Sequence, residues 1–191
     1  MARADVGNNV PHYSQCKKIY CGEATAQMAR NGYPNSSDRV FYTQDQLNAI
    51  IVVHNSTIGD DLDAWFTDPK ALSETLQTLS ALPVNWRIFA TTVRAEAQAF
   101  LERSIQSTEF PVAAVVNQGQ HWVLVVGWET EQDQAGNQQL QFIHYYDPWP
   151  VGVGADCTRA GSTWQRSLHF SKITIKGTWI GKFVVVGQPP R

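Results

Sequence analysis

Several features are scarce in this 191-residue chain, and each scarcity narrows what the protein does. Three cysteines are too few for a disulfide scaffold. Cys16-x4-Cys21 has no second Cys/His half at ligand spacing, so neither a metal nor another cofactor is expected. Charged residues make up only 17% of the chain and the net charge is −2, which gives no electrostatic case for nucleic acid or an anionic membrane as partner. No apolar run approaches the roughly 20 residues that span a bilayer. The first residues, Met-Ala-Arg-Ala-Asp, lack the apolar core of a signal peptide. The expectation is a chain not exported by that route, or one whose signal has been removed. There is no internal repeat and no low-complexity tract. What remains is a hydrophobic fraction of 43%, enough for one globular domain over residues 1–191. Oligomeric state is not legible.

The most informative stretch is Val10–Met28, V-P-H-Y-S-Q-C-K-K-I-Y-C-G-E-A-T-A-Q-M. Cys21 opens a helical run from Gly22 to Asn31 that Gly32 closes. A thiol at a helix start feels unpaired amides and the positive end of the helix dipole, both of which favour thiolate, the nucleophilic form. Gln15, six residues upstream, brings a side-chain amide that, with the Cys21 N–H, would make two donors for an oxyanion. Glu23 falls in the first helical turn, where a solvent-exposed carboxylate favours the helix and opposes the thiolate.

Further along, His121 stands in G-Q-H-W-V-L-V-V-G-W and Asp147 in Y-Y-D-P-W-P. Taking 121–128 and 139–146 as a hairpin centred near Gln134 puts both residues at its open end. Facing residues of an antiparallel pair lie about 5 Å apart. A carboxylate there accepts the imidazole's remote N–H and turns its other nitrogen toward Cys21. Read singly, each residue has a plainer meaning: a buried small thiol, a satisfied strand histidine, an Asp-Pro turn. The tryptophans flanking these residues, Trp122, Trp128 and Trp149, read as core packing. Of the other histidines, His12 sits in the loop before Gln15, His54 and His169 have no nearby thiol or carboxylate pattern, and His144 alternates with Phe142 and Tyr146 as a packed residue would.

Gln-x5-Cys at a helix start, then His, then Asp, resembles the papain-like cysteine peptidases in order. The strings C-G-x-A-x-x-x-M, H-W-V-x-V-x-G and D-P-W-P look most like small bacterial members related to double-glycine leader peptidases and papain-like effector proteases. The resemblance frames about three-quarters of the chain, although residues 33–110 carry no matching motif. It departs from the family where Gly22-Glu23 follows the cysteine, a place where many members carry an aromatic. The resemblance implies Gln15 as oxyanion donor, Cys21 as nucleophile, His121 as base and Asp147 as its orienting residue. It also implies a papain-like α+β fold.

The rest of the chain fits that class. Residues 1–9 read as a mobile arm. Thr43-Gln44-Asp45-Gln46 has the form of a capping box before Leu47, Ile50 and Ile51, with a short strand at 50–53 as the competing reading. Asp68-Pro69 starts a helix through Leu72, Leu76 and Leu79. Residues 86–90 read as a strand, and Thr92 as the cap of a helix over 93–105. After residue 110 the period changes to that of strands at 112–116, 121–128, 140–146, 172–175 and 179–186, the last two hinged at Gly177. Residues 148–168 read as a Gly-rich loop. The architecture predicted is a helical half (about 10–108), carrying the nucleophile helix, packed on an antiparallel sheet half (about 109–187). Cys16 and Cys157 are left either bridged or as separate thiols.

The leading function is hydrolysis of a peptide or isopeptide bond in a peptide or protein substrate. The same site also suits deamidation of a protein glutamine or transglutamination, and a silent peptide-binding module is the reading from a different class.

Overall fold

The computed structural model describes residues 2–32, 41–55, 67–80, 84–136, 138–149, 163–165, 170–174 and 178–190. The class is α+β, with four α-helices and one antiparallel sheet of seven strands among the described residues. The helices are α1 (Cys21–Asn31), α2 (Gln44–His54), α3 (Pro69–Leu79) and α4 (Arg94–Thr108). The strands are β1 (Ala2–Asp5), β2 (Arg87–Thr91), β3 (Val112–Val116), β4 (His121–Gln132), β5 (Gln138–Tyr146), β6 (Thr163–Gln165) and β7 (Phe183–Gly187). The sheet runs β2-β7-β3-β4-β5-β6, and β1 also pairs with β4.

Local signals explain the helix starts. Thr43 and Gln46 form a full capping box at α2, which removes the strand reading of 50–53. Asp68 accepts the Ala71 N–H at 2.6 Å and Pro69 opens α3. At α4 the expected cap at Thr92 is not used; the N-cap is Val93. The Thr91 hydroxyl instead accepts the Val93 N–H and donates to Glu96, so the bonding is shifted by one residue.

The sheet has two buried faces, which its strands serve by alternation. Trp122, Leu124 and Val126 of β4 lie in the cluster with α1, α2 and α3, whereas Val123 and Val125 pack with Ala97, Phe100, Leu101 and Ile105 of α4. A register shift between Val125 and Gly127 reverses the alternation, so Trp128 joins the α4 side.

Two sequence expectations are corrected. The arm expected at 1–9 is not free over residues 2–9: β1 pairs with β4 from Ala2↔Thr130 to Asp5↔Gly127. That pairing uses the edge of β4 beyond the end of β3. Gly127 permits it, because a Cβ there would meet the Ala4 carbonyl at 2.8 Å. The strand expected at 86–90 does form, as β2, and it pairs with β7 at the other end of the chain (Arg87↔Gly187). Finally, the strand expected at 172–175 does not form over 172–174, Ile175 lying outside the described residues, and β7 begins only at Phe183, after a turn at 178–181. Gly177 and most of the expected 148–168 loop lie outside the described residues, although Thr163–Gln165 of that stretch forms β6 on β5. Among the described residues no helix is long and apolar enough to cross a membrane.

Candidate active site

Cys21 is the first residue of α1, after a turn in which the Tyr20 N–H reaches the Lys17 carbonyl. The N-cap residue Tyr20 makes no side-chain cap bond to this helix, and the thiol is half-buried at its start. Cys21 is a free thiol, and Cys16 is disulfide-bonded, which settles for Cys16 what the sequence left open. Cys157 lies outside the described residues.

The β4–β5 hairpin forms with its turn at Asp133–Gly136, close to the expected centre. Leu124 faces Tyr146 in the register, so Asp147 lies diagonally from His121 and not directly opposite. The side chains still meet: His121 Nε2 donates to Asp147 Oδ1 at 2.7 Å. His121 also interacts electrostatically with Cys21, and with Nε2 committed to the carboxylate, Nδ1 is the nitrogen left for the thiol. Burial pulls the imidazole's pKa down, but Asp147 and Cys21 outweigh it and raise the value to about 9. Asp147 Oδ1 accepts a second bond from the Trp149 N–H at 2.8 Å. Trp122 and Trp128 are core residues as expected, whereas the Trp149 side chain is 52% exposed beside the acid.

Gln15 is held differently. It is buried (1% exposed), and Nε2 donates to the Lys17 and Lys18 carbonyls at 2.9 and 2.8 Å. Both amide protons are therefore engaged within the loop leading to Cys21. The Gln15 backbone N–H reaches the Pro148 carbonyl at 2.8 Å. Gln44 clamps the neighbouring backbone, accepting from Cys16 N and donating to Ser14 O.

Two residues have roles the sequence reading did not assign. His12 stacks on Tyr146 and donates Nε2–H to the Asp147 carbonyl at 2.9 Å, tying the segment before Gln15 to the acid. Nothing local in the sequence signals this contact across 135 positions. Glu23, expected at a solvent-exposed helix start, is fully buried. Desolvation pushes its carboxyl pKa up, against hydrogen bonds from Asn48, its own amide and Thr67. His144 is packed as expected, and it pairs with Asp5 of β1 at 3.1 Å.

No protein-family model matches the chain, and no curated protein matches it in sequence. Among solved structures, it is similar to the peptidase domain of Streptococcus ComA, a bifunctional ABC transporter involved in a quorum-sensing pathway. That similarity covers 95% of this chain and 99% of the other, with a TM-score of 0.49 and 12% identity.

Proposed function

We propose that this chain is a papain-like cysteine peptidase that hydrolyses a peptide or isopeptide bond. The observation that carries the reading is the His121 imidazole, hydrogen-bonded to Asp147 at 2.7 Å and interacting electrostatically with the free thiol of Cys21 at the start of α1. In the reaction proposed, His121 takes the Cys21 proton as the sulfur attacks the substrate carbonyl carbon. The oxyanion is met by the Cys21 N–H. Gln15 joins it by exchanging one of its two carbonyl partners for the oxyanion. Collapse of this intermediate breaks the C–N bond, and the leaving amine takes the proton from His121. Water, deprotonated by His121, then cleaves the thioester and restores the thiol. Asp147 holds the imidazole in the required tautomer throughout.

The test is incubation with a peptide library, with products read by mass spectrometry beside a Cys21→Ala control. Cleaved chains from the wild type alone support the proposal. A mass gain from amide-to-acid conversion, or a crosslink, would assign the same residues to glutamine chemistry. No product from a folded wild-type protein would point to a silent module.

A further inference from the structure

Glu23 is the one fully buried acidic side chain in the first turn of the nucleophile helix. Filling space does not require it, since Ala24, Ala26 and Ala29 of the same helix are also fully buried. A buried carboxylate is costly unless its oxygens are satisfied, and here each oxygen has a partner from a different segment. Asn48 of α2 donates to Oε1 at 2.8 Å, and the Thr67 hydroxyl donates to Oε2 at 3.2 Å.

Thr67 is also tied from the other side. Its carbonyl accepts the Trp122 indole N–H at 2.8 Å, and Trp122 directly follows His121 on β4. The approach of α1 to Thr67 is close enough to exclude a side chain between them: a Cβ on Gly22 would fall 2.4 Å from the Thr67 side chain. One residue, Thr67, is therefore bonded to the turn that carries Cys21 and to the strand that carries His121.

We propose that Glu23 is a positioning residue for the Cys21–His121 pair, acting through Thr67 and Trp122 to fix the nucleophile turn against the strand of the base. The proposal rests on the reading of Cys21 and His121 as nucleophile and base. The acceptor geometry carries it, so a neutral acceptor in the same place serves. In Glu23→Gln the amide oxygen still takes the Thr67 hydroxyl, and Asn48 turns its own oxygen to the new NH2 group.

The test follows the His121 imidazole by NMR across a pH titration, in the wild type and in Thr67→Val, Thr67→Ser, Glu23→Ala and Glu23→Gln. The wild-type midpoint is expected near 9. Thr67→Val, which keeps the shape and the carbonyl but loses the hydroxyl, should lower it by about one unit, and so should Glu23→Ala. Alkylation of Cys21 at neutral pH should slow about tenfold in the same two variants. Thr67→Ser should keep the wild-type midpoint and rate, and Glu23→Gln, which also removes a charge opposed to the thiolate, should alkylate no more slowly than the wild type. If Glu23→Ala does not fold, Thr67→Val against Thr67→Ser decides alone. Folded Thr67→Val with an unmoved midpoint would overturn the proposal, and so would Glu23→Gln as impaired as Glu23→Ala. Absence of peptide turnover by the wild type would remove the peptidase reading and leave this titration interpretable.

Discussion

Replacing Asp147 by asparagine isolates what its charge does, because the structure fixes how the amide would sit. Oδ1 accepts from both His121 Nε2 and the Trp149 N–H. An NH2 group at that place would face two donors, so the asparagine oxygen takes it and the imidazole tautomer is kept. Only the charge is lost. His121 is raised from 6.5 to about 9 by Asp147 and Cys21 against desolvation, a difference of roughly 3 kcal/mol shared between the two partners. The imidazole side chain is 13% exposed, but Asp147 is 37% exposed and solvent screens part of its share. About 1 kcal/mol is left for the carboxylate charge, close to one pH unit.

The sign follows from the direction of the shift. A histidine raised on folding stabilises the native state fully below its unfolded value of about 6.5, and that stability is lost as pH rises through about 9. Asp147→Asn should therefore destabilise the fold by about 1 kcal/mol at pH 6 and by clearly less above pH 9. The alkaline limb of turnover should move from near 9 to near 8, as a property of the coupled Cys21–His121 pair. At pH 7 the rate should fall by only about three- to tenfold, while Asp147→Ala, which removes the acceptor, costs about a hundredfold or more. Urea melts at pH 6 and 9.5 beside a pH–rate profile measure all of this. Equal rates for the two variants, or an asparagine variant whose alkaline limb stays put, would refute the reasoning.

Other substitutions separate site from scaffold. Cys21→Ala should abolish turnover with the melting temperature little changed, while Cys16→Ser should keep turnover and lose thermal stability through its disulfide. His144→Ala should cost about 1–2 kcal/mol by breaking the part-buried pair with Asp5, with kcat/KM within about twofold of wild type. Gly22→Ala should cost about 2 kcal/mol or more and slow Cys21 alkylation, since its Cβ would press on Thr67 at 2.4 Å.

Much of this molecule was legible because its signals are local. Capping chemistry at Thr43 and Asp68 sets two helix starts, and alternation over 121–128 and 139–146 sets the hairpin that joins His121 to Asp147. What escaped was decided by residues far apart in sequence. Four residues of β1 carry no periodic signal of their own, and only the open edge of β4 makes them a strand. β2 joins the sheet through a partner about a hundred positions away. Glu23 reads as an ordinary first-turn charge until α2 and Thr67 close over it, and Gln15 reads as an open donor until its amide is seen on two carbonyls.

These distant contacts hold the three central side chains from two directions. The helix start of Cys21 and the strand of His121 meet at Thr67, through Glu23 and Trp122. Asp147 is held by another lacing: Tyr146 to the Gly7 carbonyl, His12 to the Asp147 carbonyl, and the Gln15 N–H to the Pro148 carbonyl. All three bonds of that second set join the segment ahead of Cys21 to the end of β5. The second set is buried as well at Tyr146, Gln15 and Pro148, and the Asp147 side chain is its more exposed member at 37%. In the mechanism proposed, the Cys21–His121 separation therefore rests on buried bonds alone, whereas the orienting bond from Asp147 is open to solvent on one side. That difference follows the chemistry, because proton transfer between sulfur and nitrogen fails with a small change in separation, while an orienting hydrogen bond bends before it breaks.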